Sequence, residues 1–387
     1  MKADAPPQAR HWRSAAAALE LIRRRPQPTR RELASELGLA SGAASDLLGR
    51  LRAARLVAER PAPAHGPGRP TTRISAHPQG PVVLAVDLRH ADWRLAVSGI
   101  DGELEVLASG RHSAQHARAL LGRLRGTVAR EADRLGGRAV AVGVAVPGLV
   151  VGTRLLDATM LGWRDVELST VGGGLPVVVG NDATMAAVAT ARARPTANAL
   201  LHLVLEVGIG GALALGGRPV QGVRGLAGEF GHLPFGDPRE VCGCGARGCW
   251  GVRFEPARVA ARLGEPEPAD PRVWLRHLFE IARPSAKERR VRSELAADLG
   301  RGTAGLVNAL DPDVVTLGGL AGPLRDAAPG AFEQAFETGL MDVHRGAAPD
   351  VVTGPSDGDA VLVGVALAAF DQVLDARRLA LWAGGAR

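Results

Sequence analysis

The stretch EFGHLPFGDPREVCGCGARGCW, residues 229–250, carries the strongest local signal in the chain. All three cysteines of the protein, Cys242, Cys244 and Cys249, lie within eight residues of one another, and His232 precedes the first of them by ten residues. Three thiolates and one imidazole form a closed tetrahedral ligand set for zinc, with no open position for catalysis. Because clustered cysteines in a cytoplasmic chain favour a metal over a disulfide, the pattern predicts a structural zinc site. Reduced thiols without a metal are the alternative.

Buried strands alternate with helical segments on both sides of this stretch. Apolar runs of strand length stand at residues 82–88, 139–146, 176–179, 200–207 and 314–317. An amphipathic helix is predicted over 114–135, and an Ala-rich helix from Ala183 onward. This alternation indicates an α/β body with mixed sheets.

Glycines directly follow two of these strands. Gly208 and Gly210 come after the run at 200–207, and Gly318 and Gly319 come after the run at 314–317. Glycine lets the backbone approach a phosphate and expose its N–H donors, although tight turns also select glycine. Together with Asp87 at the end of the first strand, these turns resemble the phosphate turns of the two-lobed, actin-like nucleotide-binding architecture.

The first 80 residues are strongly basic and have helical periodicity. They carry 14 Lys and Arg against 6 Asp and Glu, so the whole positive net charge of the chain lies there. Helices are predicted over 12–24, 30–37 and 41–54, with a capping box at Thr29 and Glu32 and with Gly38 ending the second helix. Two short helices joined by such a turn predict a helix-turn-helix whose second helix enters the major groove of duplex DNA. A small helical bundle for protein contact is the alternative.

A wing and a set of DNA contacts follow from the same segment. Strands at 56–58 and 72–74 flank a stiff Gly-Pro tip that carries one arginine. The first exposed positions of the third helix are small, from Ser41 to Ala44, so few side chains there can make bidentate base contacts. We therefore expect phosphate contacts and DNA shape to supply much of the affinity and preference. The predicted DNA contacts are Arg30, Arg31, Ser41, Ser45, Arg50 and Arg69.

The motif that ends in the cysteine knuckle resembles the ROK family of repressors and sugar kinases. The resemblance covers residues 81 to about 370 and includes the segments GVRGLAGEFGH at 222–232, GVAVPG at 143–148, LGW at 161–163, NDA at 181–183 and GG at 318–319. A winged helix in front resembles the repressor branch. The resemblance implies an N-terminal winged helix-turn-helix followed by a two-lobed actin-like fold of the ribonuclease H-like sugar kinase type. The implied domains are residues 1–78, 79–190 and 191–387, with the C-terminal helix packing back on the first lobe.

The resemblance also implies roles for individual residues. Asn181, Asp182, Glu229 and His232 would contact a sugar, and in a kinase Asp182 would be the general base for the sugar hydroxyl. His232 would ligate zinc together with the three cysteines while its other face points toward the sugar. For Asn181 and Asp182, a turn and a helix cap are the alternative.

Three departures from the kinases of the family set this chain apart. Residues 87–91 read DLRHA, where those kinases have Asp-x-Gly-x-Thr, so Arg89 replaces the glycine that lets the backbone approach phosphate. Glu206 and Val207 stand where Gly-Thr is usual, and a carboxylate there repels phosphate. Gly251 replaces a sugar-contacting glutamate. The phosphate-binding set, Asp87, Gly208, Gly210, Gly318 and Gly319, is therefore interpreted as degenerate, and zinc rather than ATP is the expected cofactor.

The sequence is compatible with three functions. The first is a DNA-binding transcriptional regulator, a repressor of carbohydrate genes, whose body forms a homodimer or higher homo-oligomer and senses a sugar or sugar phosphate. The second is an ATP-dependent kinase of a hexose or N-acetylhexosamine. The third is a body that only dimerises. An apolar content of 46% argues against disorder, and without an apolar run near ~18 residues or a visible signal peptide the expected location is the cytoplasm.

Overall fold

The computed structural model describes residues 7–25, 27–61, 72–112, 117–354 and 358–384, with side chains at all of these positions except 7–11 and 160. The chain divides into two compact units. Unit 1 contains the residues up to Pro195 together with those from Val361 onward, and unit 2 contains Thr196–Ala360. The domain boundaries predicted at residues 78 and 190 stay predictions.

Helices and strands alternate as the sequence predicts, and the α/β class is confirmed. The helices are α1 (Pro7–Arg24), α2 (Arg30–Glu36), α3 (Ser41–Ala53), α4 (Ala117–Arg134), α5 (Asp182–Ala193), α6 (Pro256–Leu263), α7 (Pro271–Glu280), α8 (Ala286–Leu310), α9 (Ala321–Ala327), α10 (Pro329–Gly339), α11 (Asp342–Arg345), α12 (Ala360–Val373) and α13 (Ala376–Ala383). The strands are β1 (Val57–Pro61), β2 (Thr72–Ala76), β3 (Val82–Leu88), β4 (Asp92–Ser98), β5 (Leu104–Arg111), β6 (Ala139–Val146), β7 (Leu149–Val151), β8 (Arg154–Ala158), β9 (Trp163–Glu167), β10 (Val177–Asn181), β11 (Ala199–Leu205), β12 (Ile209–Leu215), β13 (Arg218–Pro219), β14 (Val314–Gly319) and β15 (Asp350–Thr353). Within the described residues, no helix combines the length and apolar character needed to cross a bilayer.

The N-terminal helices form the predicted helix-turn-helix. The Thr29 side chain accepts from the Glu32 backbone N–H while the Glu32 carboxylate accepts from the Thr29 N–H, so the capping box at the start of α2 is confirmed. Gly38 has φ +62° in the turn between α2 and α3, a conformation that favours glycine. Strands β1 and β2 pair antiparallel behind α3. The tip between these strands, including Arg69, lies outside the described residues.

The buried face of α3 includes one residue more than the sequence predicted, Ala44. Ala44 is fully buried, as are Leu47, Leu48 and Leu51. Positions three, four and seven residues apart lie on one face of a helix, so Ala44 belongs to the same buried stripe as the three leucines. The expectation that Ala44 is exposed with Ser41 was therefore wrong.

Each unit contains a five-stranded sheet, and the two strand orders are the same when one of them is read in the reverse direction. In unit 1 the order is β10-β6-β3-β4-β5, and in unit 2 it is β13-β12-β11-β14-β15. In both sheets an antiparallel meander of three strands is extended by two parallel strands, β6 and β10 in one and β14 and β15 in the other. The predicted phosphate turns therefore lie at the carboxyl ends of β3, β11 and β14, the ends at which open sheets bind ligands.

The described part of the first 80 residues, called the head below, shares one hydrophobic core with the C-terminal helices. Leu19 and Leu48 of the helix-turn-helix lie in the same buried cluster as Phe370 of α12 and Leu379 of α13. The Trp382 indole N–H donates to the carbonyl of Ala54 at 3.0 Å, directly after α3. The orientation of α3 in unit 1 is thus fixed by packing as well as by the chain connection.

Candidate functional site

The four predicted zinc ligands lie together in unit 2. The ligand atoms of His232, Cys242, Cys244 and Cys249 are all within 4.8 Å of one another. The Cys242 Sγ is 3.7 Å from the His232 Nδ1, and the Cys244 Sγ is 3.7 Å from the Cys249 Sγ. Two sulfurs bound tetrahedrally to zinc at ~2.3 Å lie about 3.8 Å apart. The cluster therefore has the donor set and the spacing to bind a metal ion.

Glycine turns and an aromatic anchor shape this cysteine knuckle. The Cys242 N–H donates to the Ala246 carbonyl at 2.9 Å, and the Gly245 N–H donates to the Cys242 carbonyl at 2.9 Å. Gly245 has φ +93°, which a residue with a Cβ rarely adopts. The buried Trp250 follows the last cysteine, and its indole N–H donates to the Asp298 carbonyl of α8 at 3.1 Å. The knuckle is thereby attached to the longest helix of unit 2.

The thiols of the knuckle do not ionise alike. Burial works against the Cys244 thiolate, but hydrogen bonds from the Ala246 backbone and from the thiols of Cys242 and Cys249 lower the pKa of Cys244. Burial, together with the neighbouring thiols of Cys244 and Cys242, raises the pKa of Cys249 to about 12. A bound cation has the opposite effect, since a coordinating thiol is deprotonated.

The loop that carries Glu229 and His232 lies directly against β12. A Cβ on Gly231 would come 2.2 Å from the Ile209 carbonyl oxygen, so only glycine permits this approach. The His232 Nδ1 faces the cysteines, whereas its Nε2 is 3.9 Å from the Glu229 Oε2. Burial raises the pKa of Glu229, and the charge of His232 opposes that rise. The geometry connects the knuckle to the predicted sugar-contacting carboxylate through one imidazole, as is usual for histidines that bind metals.

Asn181 and Asp182 lie at the start of α5 in unit 1. The Asn181 Oδ1 accepts from the Thr184 backbone N–H at 3.1 Å, and its Nδ2 donates to the Gly148 carbonyl at 3.1 Å. The Asp182 Oδ1 accepts from the Ala183 N–H at 2.8 Å. Asn181 is therefore a helix cap, the alternative weighed from the sequence. The sugar-contacting role stays a prediction for all four residues, two in each unit.

Asp87 is enclosed by two arginines rather than by glycine N–H groups. The carboxylate is 1% exposed, and its Oδ2 accepts from the Arg89 Nε at 2.7 Å and from the Arg94 Nη2 at 3.5 Å. Burial raises the pKa of Asp87, and the charges of Arg89 and Arg94 oppose that rise. Arg94 faces Asp87 because the two residues are paired across β3 and β4. Arg89 is recognisable in the sequence because it stands two residues after Asp87, whereas no local signal marks Arg94, whose proximity depends on strand register.

Glu206 lies at the second predicted phosphate turn and is paired with a distant arginine. Its carboxylate is bonded to the guanidinium of Arg272, the second residue of α7, with an Nη2–Oε1 distance of 3.1 Å. Gly319 has φ +59°, and a Cβ there would come 2.8 Å from the Glu206 Oε1. The carboxylate thus lies beside Gly319, in a turn predicted to bind phosphate, and is neutralised there by Arg272.

Of the predicted DNA contacts, Arg30 and Arg31 lie in α2, and Ser41, Ser45 and Arg50 lie in α3. Arg31 and Arg50 are exposed, whereas Arg30 donates from its Nη2 to the Glu59 Oε1 at 2.7 Å. Arg52 donates to the other oxygen of the same carboxylate at 2.8 Å. The predicted contacts Ser41 and Ser45 lie on α3, where the Ser45 hydroxyl donates to the Ser41 carbonyl at 3.0 Å.

Glu59 and its ion pairs with Arg30 and Arg52 were not predicted from the sequence. No local motif marks that glutamate, because its partners come from α2 and α3 through tertiary packing.

A family model, relatives of known name and solved structures all match this chain. A model of the ROK family matches residues 83–372. The chain belongs to the ROK family. A glucokinase from Streptomyces coelicolor is 30% identical to this ROK protein over 264 residues, 61% of this chain and 82% of that enzyme. A putative xylose repressor from a Caldicellulosiruptor species is 31% identical over 206 residues, 48% of this chain and 51% of the repressor.

Solved structures of ROK proteins have the same fold. A ROK family transcriptional regulator, described as a homologue of the Escherichia coli MLC protein, matches 97% of this chain and 99% of its own with a TM-score of 0.73 and 22% identity. A ROK glucokinase from Streptomyces griseus, solved with glucose and AMPPNP, matches 74% of this chain and 99% of its own with a TM-score of 0.61 and 25% identity. The predicted fold, a winged helix-turn-helix followed by an actin-like sugar kinase fold, is confirmed.

Proposed function

We propose that this ROK protein is a DNA-binding transcriptional regulator, a repressor, and that its body is a sensor rather than a kinase. The observation that carries the proposal is the helix-turn-helix, which packs into the core of unit 1 and keeps Ser41, Arg31 and Arg50 at the surface. The likeness to the ROK regulator extends over 97% of the chain, whereas the likeness to the glucokinase covers 74%. The difference corresponds to the basic head, which supplies the positive charge that duplex DNA attracts.

The two phosphate turns support a sensor over a kinase. A γ-phosphate needs N–H donors or cations aimed at it, together with a metal ion. Asp87 instead accepts from Arg89 and Arg94, and the Glu206 carboxylate lies over Gly319. Both turns are thus filled by side-chain ion pairs of the protein itself, which favours a body that does not transfer phosphate.

A structural zinc ion is the cofactor that fits this chain. His232 Nδ1 and the three thiolates would complete its four-ligand shell, so the ion would supply stability and no catalysis. The remaining imidazole nitrogen of His232 faces Glu229, and zinc would therefore fix the orientation of the predicted sugar contacts in unit 2.

The effector that we propose is a sugar or sugar phosphate. The predicted contacts are Asn181, Asp182, Glu229 and His232. The relatives are named for glucose, xylose and N-acetylmannosamine, and these are the sugars to test. A sugar changes operator affinity only as far as it binds two states of the protein unequally. If the protein is a homodimer, its operator consists of two half-sites on one face of the duplex.

A duplex selection tests the regulator. The full chain is used to enrich duplexes from a random library at low salt, and the dissociation constant for the enriched sequence is measured by fluorescence anisotropy. We expect one enriched sequence, and we expect the combined Arg31→Ala and Arg50→Ala substitutions to weaken binding at least tenfold. Arg134→Ala on the exposed face of α4 is the matched control and should have no effect. If no sequence is enriched, the protein is not a regulator of this kind.

The alternative is a sugar kinase, favoured by the glucokinase likeness and by Asp182 at the start of α5. A coupled assay for ADP, with ATP and each of the three sugars, tests it. We expect no turnover above the rate without sugar. Turnover that Asp182→Asn abolishes would identify the protein as a kinase and contradict the sensor.

A further inference from the structure

Helix α5 connects the predicted ligand residues of unit 1 to the base of the DNA-binding head. Its first turn is held by Asn181, whose side chain bridges the Thr184 N–H and the Gly148 carbonyl. A helix of the 12 residues in α5 is about 18 Å long. A change at Asn181 and Asp182 can therefore be transmitted over that distance by a single stiff element.

The far end of α5 contacts a tight turn between β4 and β5. The guanidinium of Arg192, in the last turn of the helix, donates to the carbonyl of Asp101. Gly102 has φ +75°, and a Cβ there would overlap the guanidinium, so the arginine lies directly on the glycine backbone. This end of α5 is thus fixed to the turn through one side chain.

The same turn, residues 99–103, also contacts β2, the second strand of the wing. Asp101 is 4% exposed, and its Oδ2 accepts from the backbone N–H of Ala76, the last residue of β2, at 2.6 Å. A Cβ on Gly99 would come 2.8 Å from the Ala76 Cβ, so the turn and the strand are in close backbone contact. The Gln27 side chain, just before α2, donates to the Glu103 carboxylate at 3.4 Å. Both the wing and the start of the helix-turn-helix therefore contact residues 99–103.

A second contact leads from α5 to the head through α12. Only glycine fits at position 364, where a Cβ would come 1.8 Å from the Met185 carbonyl oxygen. Farther along α12, Asp371 accepts from the Nε of the buried Arg23 of α1 at 2.7 Å. The first turn of α5 and its last turn thus each contact an element that positions the head.

We propose that α5 couples its ligand-facing start to the head, with Arg192 and Asp101 as the joint between them. The inference rests on the proposed regulator function and adds the route by which a ligand acts. Closely packed elements shift between discrete arrangements rather than deforming gradually. A displacement of Asn181 and Asp182 along the helix axis therefore moves the Asp101 turn, and with it β2 and the angle of α3 toward DNA.

A double-mutant cycle on the full chain tests the joint without any sugar. Asn181→Ala removes the cap at the start of α5, and Arg192→Ala removes the joint. Hydrogen exchange of residues 72–76 is measured in the wild type, in both single variants and in the double variant. We expect Asn181→Ala to speed exchange at Ala76 at least fivefold in the wild-type background and less than twofold once Arg192 is replaced. Equal effects in the two backgrounds would overturn the proposal.

The same cycle is then measured with the enriched duplex. We expect Asn181→Ala to change the dissociation constant at least fivefold in the wild-type background. Once Arg192 is replaced by Ala, we expect the change to be less than twofold, the remainder passing through α12. Arg194→Ala, which removes one positive charge at the same helix end, is the control and should leave the dependence intact. Arg192→Gln replaces Arg192→Ala if the latter unfolds. If the two substitutions are coupled in hydrogen exchange but no duplex is enriched, the regulator function is rejected and the contact between Arg192 and Asp101 is retained. If a duplex is bound but the two substitutions act additively, only the coupling through Arg192 and Asp101 is rejected.

Discussion

Glu59 shows how one carboxylate organises the surface that we propose for DNA. Its two oxygens accept from Arg30 and Arg52, and its side chain is only 10% exposed. Burial alone would raise the pKa of Glu59, but the hydrogen bonds and charges of Arg30 and Arg52 lower it. The glutamate thus holds two cations side by side at the edge of α3 while neutralising part of their charge.

The lowered pKa of Glu59 predicts an acid-dependent loss of stability. A carboxyl group that binds its proton less readily in the folded state stabilises the protein above its ordinary pKa of 4.5 and loses that contribution as the pH falls through the folded-state value. We expect the wild type to have a higher melting temperature than Glu59→Gln at neutral pH, and the difference to shrink below pH 4.5. Thermal unfolding followed by circular dichroism measures this, and a difference independent of pH would contradict it.

Cys249 makes the zinc proposal testable at a single atom. We expect the purified wild type to contain one zinc ion per chain and Cys249→Ser to contain much less, because three remaining ligands bind zinc more weakly. The melting temperature should fall with the zinc content and should also fall when a chelator is added. His277→Gln, outside the cluster, is the control. Purified wild-type protein that contains no zinc would contradict the proposed zinc site.

At the scale of elements, close packing decides which glycines can be replaced. Gly364 of α12 lies against the backbone of α5, whereas Gly122, inside α4, has no atom from another element within 4 Å of the position that a Cβ would take. Both glycines lie in helices, so propensity alone treats them alike. The contact between α12 and α5 is what separates them.

This difference predicts opposite effects on stability. We expect Gly364→Ala to lower the free energy of unfolding by about 2–3 kcal/mol, since the new methyl group forces the two helices apart. We expect Gly122→Ala to raise it by about 0.5–1 kcal/mol through helix propensity. Chemical denaturation of both variants measures the two changes. A tolerated Gly364→Ala would mean that α5 and α12 are not held this closely.

At the scale of the whole molecule, charge is concentrated in the head. Residues 1–80 have 14 basic and 6 acidic residues, whereas the rest of the chain is close to neutral. Binding that neutralises phosphates releases counterions, so its strength falls with salt in proportion to the number of contacts. The head alone should therefore set the salt dependence of duplex binding.

The salt dependence of duplex binding indicates how many arginines contact phosphates. For each phosphate contact, the slope of log affinity against log salt concentration changes by about 0.9. We expect Arg31→Ala and Arg50→Ala each to make that slope shallower by about one contact, on any duplex sequence. Anisotropy titrations over a range of salt concentrations provide the slopes. An unchanged slope in both variants would place these arginines away from the phosphates.

The sequence by itself determined the features that depend on neighbours along the chain. The spacing of His232 and the cysteines, the capping box at Thr29 and the α/β alternation are local patterns, and the structure places the four candidate ligands within 4.8 Å of one another. Tertiary structure alone decided the contacts between distant segments. Glu59 with Arg30, Arg94 with Asp87, and Arg192 with Asp101 depend on strand register and helix packing. Periodicity and turn chemistry specify backbone dihedrals within a segment, but they carry no information on which segment packs against it.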